Sequence, residues 1–223
     1  MFKNREDAGR KLAARLLKYQ GEHPVVLALP RGGVPVGYEV AMVLDAPLDV
    51  IVVRKLGAPG QPELGIGAVV DGDHPQSVLN EDVLQMLEVS EEYLKGEVAL
   101  ELQEIRRRQE RYRGGRPPEP IAGRTAIIID DGIATGGSIR AAIRGVRRLS
   151  PQRVVLAVPV APPDTIESLR PEVDDLVCLS MPVFFHAVGQ FYEDFRQTSD
   201  EEVIQLLDDA RQRPVAARTH VTS

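Results

Sequence analysis

Residues 127–138, which read IIIDDGIATGGS, constrain the fold of this chain more than any other stretch. Three consecutive isoleucines lead directly into two carboxylates, Asp130 and Asp131, as in a buried strand that ends in a pair of acids. A loop of small residues follows, and a helical pattern begins after it. Backbone N–H groups at such a helix start attract anions. The stretch therefore predicts a site for a ligand with both hydroxyls and a phosphate. On the plainer interpretation it is an ordinary strand–loop–helix turn.

Strand-like and helical patterns alternate along the rest of the chain. Short apolar runs that predict buried strands occur at residues 25–29, 50–53, 67–70, 154–158 and 175–179. Helical periodicity lies between most of these runs. This alternation predicts an α/β fold with an open parallel sheet flanked by helices and with ligands at the carboxyl ends of the strands. We therefore treat residues 1–223 as a single domain.

Three segments depart from the alternation. Residues 80–113 carry two helix starts and one apolar stripe among charged faces, which predicts an exposed helical excursion that serves as a dimer arm or a lid. Residues 180–198 contain five of the ten aromatic side chains, so they form either a binding surface or a small local core. Residues 214–223 have little to bury, and we predict that they are disordered.

The bulk properties exclude several classes of protein. The net charge of −6 argues against general nucleic-acid binding through a broad positive field. The single cysteine, Cys178, excludes an intrachain disulfide framework and fits a reducing compartment. No run of about 18 apolar residues occurs, and no apolar segment follows the N-terminus, so we predict neither a membrane span nor a signal peptide. The expected location is the cytoplasm.

A local basic cluster runs against this negative net charge. Its members are Arg106, Arg107, Arg108, Arg111, Arg113 and Arg116. One interpretation is contact with RNA or DNA. The plainer one is a helix end, where cations complement the helix dipole and Glu104 pairs with Arg108 four residues on. The overall charge favours the plainer interpretation, and an anionic partner subunit stays an open alternative.

The stretch at 127–138 resembles the phosphoribosyl pyrophosphate (PRPP) motif of the type I phosphoribosyltransferases, in which a hydrophobic run and two acids precede Thr-Gly-x-Thr/Ser. The resemblance implies their fold, a Mg²⁺-dependent reaction in nucleotide metabolism and a homodimer. It also implies that Asp130 and Asp131 hold the ribose hydroxyls, directly or through a hydrated Mg²⁺. The residues that would cradle the 5′-phosphate are Gly132, Ala134, Thr135, Gly136, Gly137 and Ser138.

Two further strand ends resemble the rest of a PRPP site. Arg31, Gly32 and Gly33 follow the first strand and are similar to the family's pyrophosphate loop, where a non-proline cis peptide presents backbone donors. That peptide would lie close to residues 30–32. Arg54 and Lys55 end the next strand and resemble the basic start of a flexible catalytic loop, which the glycines and prolines of residues 56–65 also predict. Taken alone, each is an ordinary turn or a solvated strand end.

The acceptor of the phosphoribosyl group is not defined by these motifs. In this family a segment outside the core sheet, the hood, covers the acceptor base, and residues 180–198 are the candidate here. Its candidate base contacts are Phe184, Phe185, His186 and Tyr192. In members that act on 6-oxopurines an aspartate precedes the Thr-Gly pair. This chain has Ala134 there, which disfavours hypoxanthine and guanine as acceptors.

Three hypotheses follow from these patterns. The first is a phosphoribosyltransferase that joins PRPP to a small heterocyclic base. The second is a PRPP-sensing regulator without turnover that binds nucleic acid, although no helix-turn-helix pattern is evident. The third is a plain nucleotide-binding α/β protein, which would prefer nucleotides to PRPP.

Overall fold

The fold is seen in a computed structural model that describes residues 1–71 and 76–212. Seven α-helices and eight strands occur in this part of the chain, besides three short 3-10 helices. The helices are α1 (Arg5–Leu16), α2 (Gly33–Leu44), α3 (Glu81–Met86), α4 (Glu91–Arg113), α5 (Gly137–Arg147), α6 (Pro163–Leu169) and α7 (Asp200–Gln212). The strands are β1 (Val25–Ala28), β2 (Leu48–Val50), β3 (Val53–Ala58), β4 (Gln61–Val70), β5 (Gln76–Leu79), β6 (Thr125–Ile129), β7 (Arg153–Val160) and β8 (Asp175–Ser180).

The central sheet is parallel, and its strand order among the described residues is β2-β1-β6-β7-β8. Strand β6 lies in the middle and is buried throughout. Its side chains alternate between two cores, because Ile127 and Ile129 pack with α1, α2 and α7, whereas Ile128 packs with α5. The predicted open parallel sheet with helices on both faces is confirmed. The carboxyl end of its central strand carries the acid pair.

A second, antiparallel sheet follows β2 and has the order β3-β4-β5. The loop predicted at residues 56–65 is a hairpin instead, because β3 continues to Ala58 and β4 begins at Gln61. Leu56, Ala58 and Ile66 are buried in the main core, and this burial outweighs the local turn preferences of the glycines and prolines. Register shifts on both sides of Gly57 accommodate those residues within the hairpin.

The helical excursion predicted at residues 80–113 is present as α3 and α4. It is only partly exposed, because Ile105 and Tyr112 are buried where α4 packs against β3 and α7. The predicted disordered tail at 214–223 lies outside the described residues. In the described parts of the chain, none of the helices has the length and apolar character needed to cross a membrane.

Candidate active site

Asp130 and Asp131 directly follow β6 at the centre of the sheet edge. The backbone N–H of Asp131 donates to Oδ1 of Asp130 at 2.9 Å. Burial and the neighbouring charge of Asp131 raise the pKa of Asp130 well above its ordinary value. Burial also raises the pKa of Asp131, although the nearby Arg5 guanidinium opposes this shift. Two crowded carboxylates of this kind favour a ligand that brings hydroxyl groups or a cation.

The glycine-rich loop after the acid pair leads into α5. Gly136 has a φ of +80°, a conformation that suits glycine, and α5 begins at the next residue. Thr135, Gly137 and Ser138 are exposed at this helix start, where backbone N–H groups have no partner inside the helix. The hydroxyl of Thr165 donates to the carbonyl of Ala134 at 2.9 Å and holds the loop in place. The arrangement suits a phosphate group.

The loop after β1 lies against the acid pair. A Cβ atom on Gly32 would stand only 2.0 Å from Oδ2 of Asp131, so the two can approach only because Gly32 has no side chain. The peptide between Pro30 and Arg31 is cis, within the range where the resemblance places one. The Arg31 guanidinium lies 3.8 Å from Oδ1 of Asp200, the first residue of α7. The loop after β1 and the loop after β6 therefore form one site.

The two basic residues of β3 separate, because neighbouring side chains on a strand point to opposite faces. Arg54 turns toward α4, where its Nε lies 2.6 Å from Oε2 of Glu101. Lys55 lines a cavity of about 260 Å³ together with Thr135 and Ser138 of the glycine-rich loop. The structure thus brings Lys55, but not Arg54, to the loop that follows the acid pair.

The hood candidate combines a small core with an exposed tip. Tyr192 is buried, and its hydroxyl donates to the backbone carbonyl of Asp131 at 2.6 Å. Phe185 is half-buried and its ring packs 5.1 Å from that of Phe191. His186 is exposed, and Phe184 is 84% exposed. The small local core is therefore present, and the exposed Phe184 and His186 stay candidates for a binding surface.

A glutamine holds the exposed tip in shape. The side-chain oxygen of Gln190 accepts hydrogen bonds from the backbone N–H groups of His186 and Ala187, and its amide group donates to the carbonyl of Phe184. An aromatic side chain is thus presented to solvent on a braced loop. Such a surface can stack on a planar ligand.

Arg5 belongs to the site, although the motifs of the sequence did not include it. Its Nε donates to Oδ2 of Asp131 at 2.7 Å, and both side chains are nearly buried. The two residues are 126 positions apart, so no local motif joins them. One signal was present, since Arg5 is the first residue of α1, where the helix dipole disfavours a cation unless an anion lies nearby.

The basic cluster at 106–116 is largely neutralised within the chain. Arg107 and Arg108 hold Glu104 and lower the pKa of that carboxyl to about 2. Arg111 pairs with Asp200 and Glu201. Arg116 pairs with Asp208, and Arg113 is the last residue of α4, as the helix-end interpretation expects, although its side chain is buried. These ion pairs weigh against a nucleic-acid surface.

The described residues contain no group of three or more His, Cys, Asp or Glu side chains that could hold a metal ion. They therefore offer no site at which protein groups alone would bind Mg²⁺. Mg²⁺ does not need one, because it usually binds through one or two carboxylates, substrate phosphates and water. The acid pair fits that pattern, since burial raises the pKa of both carboxyls and the charge of Asp131 raises that of Asp130 further, and a bound cation would favour their ionised forms.

Comparisons with known proteins agree with this geometry. Residues 2–196 match the phosphoribosyl transferase domain family. The chain is 49% identical over 210 residues to two Mycobacterium tuberculosis proteins, "Putative phosphoribosyl transferase Rv0571c" of strain H37Rv and its counterpart MT0597 of strain CDC 1551. Each alignment covers 94% of this chain and 47% of the relative, so the chain spans about half the length of the curated relatives it matches.

Among solved structures, TT1426 from Thermus thermophilus is 44% identical and superposes with a TM-score of 0.84. This match covers 94% of the present chain and 98% of TT1426. The family match over most of the chain and this structural likeness lead to the same conclusion as the site. The chain belongs to the phosphoribosyl transferase domain family.

Proposed function

We propose that this protein transfers the 5-phosphoribosyl group between PRPP and a nitrogenous base in a Mg²⁺-dependent reaction. The observation that carries the proposal is the close approach of two loops to one acid pair. Gly32 lies against Asp131, and the glycine-rich loop leads from the same carboxylates into the start of α5. A ligand in this position meets carboxylates, backbone N–H groups and hydroxyls together, which matches a ribose with phosphates at both ends.

We assign roles to the residues from their positions. Asp130 and Asp131 hold the ribose hydroxyls. The loop that contains Thr135 and Ser138 binds the 5′-phosphate through its N–H groups and hydroxyls. The leaving pyrophosphate binds to the backbone of residues 31–33 and to the charges of Arg31 and Lys55. We leave Arg54 out of this assignment, because its guanidinium is engaged by Glu101.

Catalysis in such a site is positioning and electrostatic stabilisation. The acid pair fixes the ribose while the bond from its anomeric carbon to the pyrophosphate weakens and positive charge develops on the sugar. Bound Mg²⁺ would neutralise part of the charge on the pyrophosphate and would be held by Asp130 and Asp131, with water in its remaining coordination sites. Water must be excluded until the base attacks the anomeric carbon, and we assign this role to the hood, which lies beside the site.

The acceptor base is proposed by exclusion and by shape. Ala134 stands where 6-oxopurine enzymes of the resembled family carry an aspartate, so we propose a different nitrogen heterocycle. The exposed ring of Phe184 on its braced loop offers a stacking surface for a planar base.

Two measurements test the proposed function. Calorimetry with PRPP and Mg²⁺ should show saturable binding that is lost when Mg²⁺ is removed by a chelator. A pyrophosphate-release screen with PRPP against purines, pyrimidines and other nitrogen heterocycles should identify the acceptor. PRPP binding without pyrophosphate release across the whole panel would favour the PRPP-sensing regulator. No PRPP binding at all, with tighter binding of a nucleotide, would contradict both.

The two basic residues of β3 should behave differently when each is replaced by methionine. Lys55→Met removes a cation beside Thr135 and Ser138, so PRPP affinity should fall about 10- to 100-fold, the worth of one hydrogen bond to a charged group. Arg54→Met leaves the nearly buried Glu101 without its partner, so unfolding should become easier by about 1–3 kcal/mol while PRPP affinity stays the same. Calorimetry and urea unfolding distinguish the two. Equal losses of PRPP affinity in the two variants would contradict the assignment of Lys55, and not Arg54, to the PRPP site.

A further inference from the structure

The start of the chain reaches the acid pair through one side chain. Arg5 places Nε 2.7 Å from Oδ2 of Asp131 and donates from a terminal nitrogen to the backbone carbonyl of Arg196 at 2.7 Å. Its guanidinium also lies over the ring of Phe195, 3.9 Å from the ring centre. One planar group therefore contacts a site carboxylate, the hood backbone and a hood aromatic ring.

The hood segment is also fastened to this place by several hydrogen bonds and one close packing contact. The backbone N–H of Phe2 donates to the carbonyl of Phe191, and that of Glu193 donates to the carbonyl of Phe2. The Tyr192 hydroxyl donates to the carbonyl of Asp131. A Cβ on Gly132 would lie 2.5 Å from a methyl group of Val188, so the loop after the acid pair packs tightly on the hood. Asp131 is thus enclosed by the N-terminal segment and the hood.

Arg5 also decides which oxygen of Asp131 is available to a ligand. Oδ2 accepts the hydrogen bond from Arg5 and lies against Gly32, so it is closed on two sides. No hydrogen bond to Oδ1 is found among the described residues, so Oδ1 is the oxygen that we assign to a ligand. A free aspartate side chain would sample several rotamers, whereas this ion pair holds one of them.

We propose that Arg5 is a positioning residue for phosphoribosyl binding, which orients the Asp131 carboxylate toward the ribose and locks the hood to it. The inference rests on the proposed function, because it assumes that Asp131 holds the ribose hydroxyls. Arginine suits the task better than lysine, since its planar fork donates to Asp131 and Arg196 at once while its face stacks on Phe195.

The test compares three variants by calorimetry with PRPP and Mg²⁺ and by thermal unfolding. Arg5→Met removes the charge and the donors. Arg5→Lys keeps the charge but cannot bridge both acceptors in the same way. Arg10→Met is the matched control on the same helix, because Arg10 is 56% exposed and pairs with Glu39 away from the acid pair. The binding constant per folded molecule is the readout that a merely structural role would leave unchanged.

We expect Arg5→Met to weaken PRPP binding about 10- to 100-fold, the usual effect of removing a group that orients a ligating side chain. Arg5→Lys should recover part of the affinity, and Arg10→Met should match the wild type. An unchanged dissociation constant in Arg5→Met, with only a lower melting temperature or lower stoichiometry, overturns the inference, as does an equal loss in Arg10→Met.

Arg5→Lys decides the question if Arg5→Met does not fold. A binding constant several-fold weaker than that of the wild type supports the positioning role, and an unchanged one overturns it. The wild-type protein separates this inference from the proposed function. Failure of the wild type to bind PRPP removes both, whereas wild-type binding with unchanged Arg5 variants removes the role of Arg5 alone.

Discussion

Replacing Asp130 with asparagine is expected to abolish PRPP binding and, at neutral pH, to stabilise the protein free of ligand and metal. The carboxylate that holds a ribose hydroxyl or a Mg²⁺ water is lost, so kcat/KM for pyrophosphate release should fall on the order of 100-fold or more. The carbonyl oxygen of asparagine can still accept the hydrogen bond that the Asp131 N–H donates to Asp130. The fold should therefore tolerate the change.

The gain in stability follows from the pKa of Asp130, which burial and the charge of Asp131 raise in the folded protein. A carboxyl with a raised pKa holds its proton more tightly when folded than when unfolded. The wild type therefore loses stability as the pH rises from the ordinary aspartate range through this raised pKa, and it has lost it fully above that value. Asparagine cannot ionise, so the variant should lack this loss.

Melting temperatures of both proteins between about pH 4 and pH 8, without Mg²⁺, measure the effect. Asp131→Asn provides the contrast, because the Arg5 guanidinium opposes the rise in the pKa of Asp131, so the gain in stability should be smaller than for Asp130→Asn. An Asp130→Asn protein that binds PRPP within about twofold of the wild type, a difference smaller than one hydrogen bond is worth, would contradict the proposed role of the acid pair.

The largest loss of stability is expected from Arg113→Met. Arg113 lies at the end of α4 with about 5% of its side chain exposed, and its guanidinium contacts Asp49 at 3.0 Å and Asp71 at 2.9 Å. It also donates to the carbonyl of Val50 at 2.8 Å. Without it, two buried carboxylates would lose this cation and keep neutral donors such as the N–H groups of Glu119 and Val52. Removing one partner of a buried ion pair costs about 3–5 kcal/mol, so the free energy of unfolding should fall by that amount.

Arg116→Met is the matched control for Arg113→Met. Arg116 lies three positions further along and pairs with Asp208 at the surface, where both side chains are at least a third exposed. A surface pair contributes about 0–1 kcal/mol, so this variant should unfold almost like the wild type in urea. Similar losses in the two variants would show that burial of the Asp49–Arg113–Asp71 group does not dominate its energetics.

Sequence reasoning predicted those features of the molecule that depend on residues close together in the chain. The apolar run, the acids and the small residues at 127–138 are consecutive, so their chemistry can be read without knowing the fold. The parallel sheet followed from alternating periodicities for the same reason. The cis peptide at Pro30–Arg31 was expected only by resemblance and within a range of three residues.

Sequence reasoning missed the features that depend on packing between residues far apart in the chain. Six arginines at 106–116 look alike in the sequence, yet Arg113 is buried where Asp49 of β2 and Asp71, which directly follows β4, meet its guanidinium. Arg5 reads as an ordinary helix start until the sheet brings Asp131 to it. The hairpin at 53–70 was misjudged because burial of Leu56 and Ile66 overrides local turn propensity.

The alternation of side-chain direction along β3 limits the insertions and deletions that related chains can accept in this strand. Lys55 faces the glycine-rich loop and Arg54 faces α4 only because of their parity along the strand. Inserting or deleting a single residue earlier in β3 would exchange the two faces and send the lysine toward Glu101, although no basic residue had been lost. We therefore expect related chains to vary here by two residues, or by a compensating bulge, more readily than by one.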